Sequence, residues 1–196
     1  MLPESPAIRG AKPRLIDWGG KLIPILGGPS QTLLRLGTRF AFEFQLPQMP
    51  SEPTGRRWAA SLMMAKLDGA IMPFLQDGFD VGAPGLPTVD GAGQSGSVLI
   101  IENVTAHYAF RFGQFFSLVH GGRRYLHMVA AQVIVGADGK ASVPILPMLR
   151  VIPSDGDAVE VGRPKIQGSL VGNELAWDIG LEPYVDLGAI RIDEDA

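Results

Sequence analysis

The chain has 196 residues, of which 46% are hydrophobic and 19% charged, and a formal net charge of −3. This length holds one sizeable core with room for a smaller lobe. The negative balance, with no basic block beyond Arg56-Arg57 and Arg123-Arg124, gives no general attraction to nucleic acid, and the lack of cysteine excludes disulfides and thiolate metal sites.

Globular domains carry roughly a quarter of their residues as charges, so this low value points to surface covered by partners. A cysteine-free chain also suits assembly in a reducing cytosol. The first twenty residues contain Glu4, Arg9, Lys12, Arg14 and Asp17, and no apolar stretch follows that would serve as a signal peptide. The uncharged apolar run at residues 22–26 is too short for a membrane span.

Residues 1–30 hold five prolines together with Gly19, Gly20, Gly27 and Gly28, which predicts an extended N-terminal arm with one short strand over 21–25. Such an arm either packs on its own domain or reaches a neighbouring subunit. Residues 35–46 alternate, with Phe40, Phe42, Phe44 and Leu46 on one side and Arg39, Glu43 and Gln45 on the other, the period of a half-buried strand. Pro47, Pro50 and Pro53 hold the next stretch open. A helix is predicted over 55–67, capped by Thr54 or Ser51, with a buried stripe of Trp58, Leu62 and Ala65 and with Ala59 and Met63 beside it. Asp68-Gly69 ends it, and residues 70–75 form an apolar strand in which Pro73 marks an edge.

Residues 76–96 carry eight Gly or Pro and read as a long loop that contacts a partner and joins two lobes. Beyond it the pattern is β. Strands are expected at 97–104, 107–112, 115–119, 124–135 and 141–146, with tight turns at 120–122 and 137–140, the spacing of a small barrel or sandwich. Residues 159–161, 165–171 and 174–181 continue the pattern. The acidic end of the chain, within residues 186–196, reads as a solvated tail.

No group of residues converges as an active site would. His107, His120 and His127 lack ligand spacing, and His127 alternates with Tyr125 and Val129 as a cross-strand or partly buried residue would. Residues 91–96 match G-x-G-x-x-G, but a Pro-rich stretch precedes them and a strand follows, so the phosphate-binding context fails. Asp90, Gly91, Gly93, Gln94 and Gly96 are instead candidates for a flexible loop or subunit interface. Asp77, Asp80 and Asp90 read as turn residues rather than paired catalytic acids, and Ser95 lacks the setting of a nucleophile. Arg123 and Arg124 would form an exposed hairpin tip, bind an anion, or pair with acids across an interface. Phe110, Phe112, Phe115, Phe116 and Tyr125 are expected to fill a core rather than form a sugar platform.

The succession over residues 35–75 is distinctive: RFAFEFQLP, a Pro-rich break, TGRRWAASLMMAKLDG, then AIMPFL. It resembles the core unit of the minor tail and distal tail proteins of long-tailed bacteriophages, and segments such as GQFFSLVHGGRRYLHMV look like prophage tail proteins. The resemblance implies a mainly β fold with one α-helix: a β-sandwich tail-protein core over residues 31–80 and 162–190 with helix 55–67. A small inserted β-barrel-like domain over 97–161 and an acidic tail over 191–196 would complete it. It implies a ring, commonly a hexamer, at the distal end of the tail tube, joining the tube to the tip or baseplate complex. The partners would be further copies of the chain, the tail tube protein and tip or hub proteins, in a virion assembled in the host cytoplasm. No catalytic residue and no cofactor would be involved. The alternative is a receptor- or glycan-binding module of the tail tip.

Overall fold

The computed structural model describes residues 1–33, 35–179 and 183–195. In chain order it opens with β1 Gly10–Ile16, β2 Gly20–Leu22, β3 Gln31–Leu33, β4 Arg39–Gln45 and β5 Met49–Pro50. A wide turn, Ser51–Gly55, leads into helix α1, Arg56–Asp68. There follow β6 Ala70–Pro73, β7 Gly85–Val89, β8 Val98–Val104, β9 Ala109–Phe110, β10 Phe115–His120, β11 Arg123–Val129, β12 Val133–Ile134 and β13 Ala141–Leu146. The last are β14 Val159–Glu160, β15 Lys165–Leu170, β16 Asp178–Ile179, β17 Tyr184–Asp186 and β18 Ala189–Glu194. The protein is mainly β with a single helix, as the sequence pattern predicts. Of the strand expected over 174–181, residues 174–177 are not strand, Asp178–Ile179 is, and 180–181 lie outside the described residues.

The chain forms two compact units. One comprises Met1–Arg14, Phe40–Leu75 and Lys165–Asp195; the other comprises Leu15–Arg39 and Gln76–Pro164.

The first unit is built on a five-stranded sheet in the order β1-β4-β18-β15-β6. Its inner face carries Phe40, Phe42 and Phe44 from β4, all buried, as the alternation requires. Helix α1 lays Trp58, Ala59, Leu62 and Ala65 inward, and the Trp58 ring lies 6.3 Å from that of Phe44. The Trp58 indole nitrogen donates to the Ser5 carbonyl at 2.9 Å, so the buried ring keeps its polar atom satisfied. Neither Thr54 nor Ser51 caps the helix with its side chain; Gly55 holds the cap position, and Glu52 pairs with Arg56 at 2.6 Å. Gly69, at φ 83°, ends the helix where the sequence places its stop.

One expectation is corrected in this unit. The acidic end of the chain is no solvated tail: β18 lies between β4 and β15, with Ile192 opposite Phe42 and Ile190 opposite Phe44. Arg191 and Asp193 alternate with these buried residues and pair with each other at 2.6 and 2.9 Å. Glu194 is buried and accepts the Phe40 amide at 2.9 Å. β15 approaches β18 so closely that a Cβ on Gly168 would stand 1.9 Å from the Asp193 carbonyl oxygen. The N-terminal residues, for their part, lie on their own unit. The Leu2 amide donates to Ile71 at 2.9 Å, the Arg9 amide donates to Gln45 at 2.8 Å, and β1, a strand the proline content concealed, extends the sheet.

The second unit contains a six-stranded sheet in the order β14-β10-β11-β13-β8-β7. It nearly closes into a barrel: Thr88 bridges to Ala158, the Val89 amide donates to Asp157 at 2.9 Å, and the Gly156 amide donates to Val89 at 3.0 Å. Phe110, Phe116, Leu118 and Val143 fill the interior, as side chains do in small barrels. The stretch 76–96, expected as loop throughout, therefore contributes the closing strand β7. Pro87 lies in this strand, where the pairing with β8 shifts register between Gly85 and Thr88. The strand expected over 107–112 is cut to Ala109–Phe110 because His107, at φ 61°, sits in a turn closed from the Tyr108 amide to Thr105 at 3.0 Å. The long strand expected over 124–135 is broken into β11 and β12.

Candidate assembly surfaces

The connection from β7 to β8 contains five of the residues singled out by sequence. Gly91, Gly93 and Gly96 adopt φ of 87°, 79° and 86°, which only glycine takes readily. Gln94 fastens the turn. Its Nε2 donates to the carbonyls of Asp90, Gly91 and Ile100 at 2.9, 3.2 and 3.0 Å, and its Oε1 accepts the Ile100 amide at 2.7 Å. The Asp90 carboxylate accepts from Lys140 at 2.7 Å, and Glu102 lies 3.3 Å from the same ammonium. Hydrogen bonding to these carboxylates, Asp90 first, holds the Lys140 pKa above its ordinary value.

Arg123 and Arg124 open β11. Arg124 reaches across to Glu160 with two hydrogen bonds, 2.9 and 3.1 Å, the fork geometry that suits a carboxylate. The turn 154–157 stands between this hairpin and the glycine turn. Gly91 donates to Asp155 at 2.7 Å, while Asp157 accepts the Ser154 amide at 2.7 Å and lies 2.7 Å from His120 Nδ1. The two sets of sequence candidates thus belong to one rim of the barrel, where the carboxylates of Asp90, Asp157 and Glu160 each meet a basic side chain of the same chain.

Inside the barrel, His127 is fully buried opposite Phe116 on β10. Its Nδ1–H donates to the Pro147 carbonyl at 2.9 Å. Burial lowers its pKa to about 4, so the ring is neutral at physiological pH. Among the described residues no cluster of three or more His, Cys, Asp or Glu is placed to hold a metal, and no helix is long and apolar enough to cross a membrane. Of the aromatics expected in the core, Phe110 and Phe116 are buried, whereas Phe112 is 71% exposed.

The feature that sequence reasoning undervalued is the ribbon of β2 and β3. Its strands pair Gly20 with Leu33, Lys21 with Thr32 and Leu22 with Gln31. Every residue from Lys21 to Leu33 is exposed. Ile25 is 100% exposed, Leu26 98% and Ile23 73%. With Leu22 and Leu33 these side chains present apolar surface on the order of 600 Å², the upper end of the largest patch on an ordinary monomer. The sequence pattern predicts a single short strand over 21–25 in an arm that either packs on its own domain or reaches a neighbour; the stretch instead forms a two-stranded ribbon. The ribbon's base is fixed: Thr38 Oγ1 donates to the Asp17 carboxylate at 2.9 Å, and the Gly19 amide donates to it at 2.7 Å. These bonds, the Gly19 amide foremost, lower the Asp17 pKa. Arg39 lies over the Trp18 ring at 5.8 Å.

In the first unit, the outer side of α1 is also apolar. Met63 is 47% exposed, Met64 57% and Leu67 81%; Met63, expected beside the buried stripe, instead faces outward. Two hollows flank this ridge. One, of about 320 Å³, lies between Gly55, Ala59, Ala60, Met63, Trp177 and Val185. The other, of about 280 Å³, lies between Leu2, Ala60, Met64 and Asp68. Neither a scan against protein-family models nor a search of curated proteins returns a match to this chain.

Proposed function

We propose that this protein is a structural, non-enzymatic component of a tailed-phage tail. It forms a ring at the distal end of the tail tube and connects the tube to the tip or baseplate complex. The phage assignment is supported by the sequence resemblance over residues 35–75. The assembly role is supported by one observation above the rest, the bare apolar ribbon Gly20–Leu33 on a securely held base. An isolated two-stranded ribbon is marginal in water, so a ribbon of this composition is built to be covered. The ring, with heterologous contacts between neighbours, supplies that cover and fixes the symmetry for what binds next. The low charge of the chain agrees with extensive partner contact.

Electron microscopy of virions, with antibody against this chain, tests the reading. Label at the junction of tube and tip is expected; a chain absent from virions would refute it. The second reading, receptor or glycan binding by the barrel, draws its support from Phe112. Glycan binding that disappears in Phe112→Ala, on a monomer, would favour it.

A further inference from the structure

We propose that the ribbon Gly20–Leu33 of one copy docks on the outer face of α1 of the next copy. Its Ile23, Ile25 and Leu26 enter the hollow between Ala59, Met63 and Trp177. The inference rests on the ring reading and names the contact that would build the ring.

Area is the first argument. The ribbon's apolar side chains offer on the order of 600 Å², and the exposed Pro24, Pro29, Trp18 and Leu36 bring it toward the about 800 Å² per partner of a standard interface. Left open, this surface would draw an unfolded or non-specific partner; docked, it is enough for a stable contact. Shape is the second argument. An exposed ribbon end that carries branched side chains meets a hollow of about 320 Å³ bordered by small residues, Gly55, Ala59 and Ala60. Met63 borders the site with a flexible thioether that refills irregular gaps around an incoming side chain.

The occupant is a second copy because each chain presents both halves of the contact, and the halves differ. A contact between unlike patches repeats from copy to copy, so it either closes into a ring or runs on as a filament. Two ribbons meeting face to face would give only a dimer and would leave the helix ridge uncovered.

The absence of cysteine from the chain makes the test direct. Two full-length variants, Leu26→Cys and Met63→Cys, are prepared separately, mixed under mild oxidation, and run without reductant; Ala60→Cys serves as a second reporter on the helix. The expected result is a dimer of unlike chains that forms in the mixture and is dissolved by reductant. The doubly substituted chain is expected to give a ladder of covalent oligomers. Predominant Leu26–Leu26 cross-linking in Leu26→Cys alone would overturn the proposal in favour of a symmetric dimer. An internal disulfide in the doubly substituted chain would overturn it too, by showing that the ribbon lies on its own helix. If native mass measurement of the unsubstituted protein shows a ring and neither helix reporter cross-links, the docking site is wrong while the ring reading stands. If the unsubstituted protein is a monomer at assembly concentrations, the ring reading itself fails.

Discussion

The barrel rim and the ribbon Gly20–Leu33 are both turn-bearing β structures within one unit, yet they are finished in opposite ways. At the rim, Gln94 satisfies four backbone groups, Lys140 sits between two carboxylates and Arg124 grips Glu160. Along the ribbon, thirteen consecutive residues are exposed, and of its large apolar side chains Ile25 and Leu26 are the most exposed. A surface whose polar groups are already paired gains little by meeting a partner, whereas bare aliphatic side chains gain about 25 cal/mol for each Å² they bury. Burial against a partner therefore favours the apolar ribbon over the glycine- and arginine-marked turns.

A substitution in the barrel core and one on the ribbon should differ most in their effect on folding. Leu118→Ala, inside the barrel, is expected to cost about 2–5 kcal/mol in urea unfolding. Ile25→Asp, on the ribbon, is expected to change the unfolding free energy of the isolated chain by less than about 0.5 kcal/mol. Equal losses would mean that the ribbon is part of the fold.

Acid sharpens the contrast from the barrel side. His127 has a folded pKa of about 4 against 6.5 for the free side chain, so the unfolded chain takes up the proton first as pH falls. Its neutral burial is at full value above pH 6.5 and is lost progressively down to pH 4, a change of roughly 3 kcal/mol over that window. Stability measured at steps from pH 7 to pH 4 should follow this slope, and His127→Leu should flatten it. A slope unchanged in the variant would place the acid sensitivity elsewhere.

Two smaller effects concern the rim. Gln94→Ala should cost about 1 kcal/mol and speed hydrogen exchange at the Ile100 amide, which loses its side-chain acceptor. Arg124→Ala, at a partly exposed pair, should cost less than about 1 kcal/mol and leave oligomeric state unchanged. Loss of assembly in Arg124→Ala would move the interface from the ribbon to the rim.

Much of the fold was legible because its strongest elements are strictly periodic. Phe40, Phe42 and Phe44 at period two, and Trp58, Leu62 and Ala65 at helical spacing, appear where the pattern puts them. The misses have physical causes. In β18 the buried Ile190 and Ile192 alternate with Arg191 and Asp193, and in a short terminal run those charges outweigh the isoleucines by eye. In β7 the glycine and proline that mark a loop are tolerated because an irregular register relieves Pro87 of a ladder bond. For the candidate site, sequence alone identified turn glycines and arginines, whose type is conspicuous. For the ribbon it predicts only one short strand in an arm with two possible destinations, because exposure of an aliphatic residue is a property of tertiary structure and LIPIL reads equally well as core.

The central claim is that the ribbon holds copies of this chain together, and native mass spectrometry of the full chain tests it most directly. A discrete closed oligomer is expected for the unsubstituted protein, and a folded monomer for the double variant Ile25→Asp/Leu26→Asp with an unchanged circular dichroism spectrum. An unsubstituted protein that remains monomeric, or a double variant that assembles as before, would contradict it.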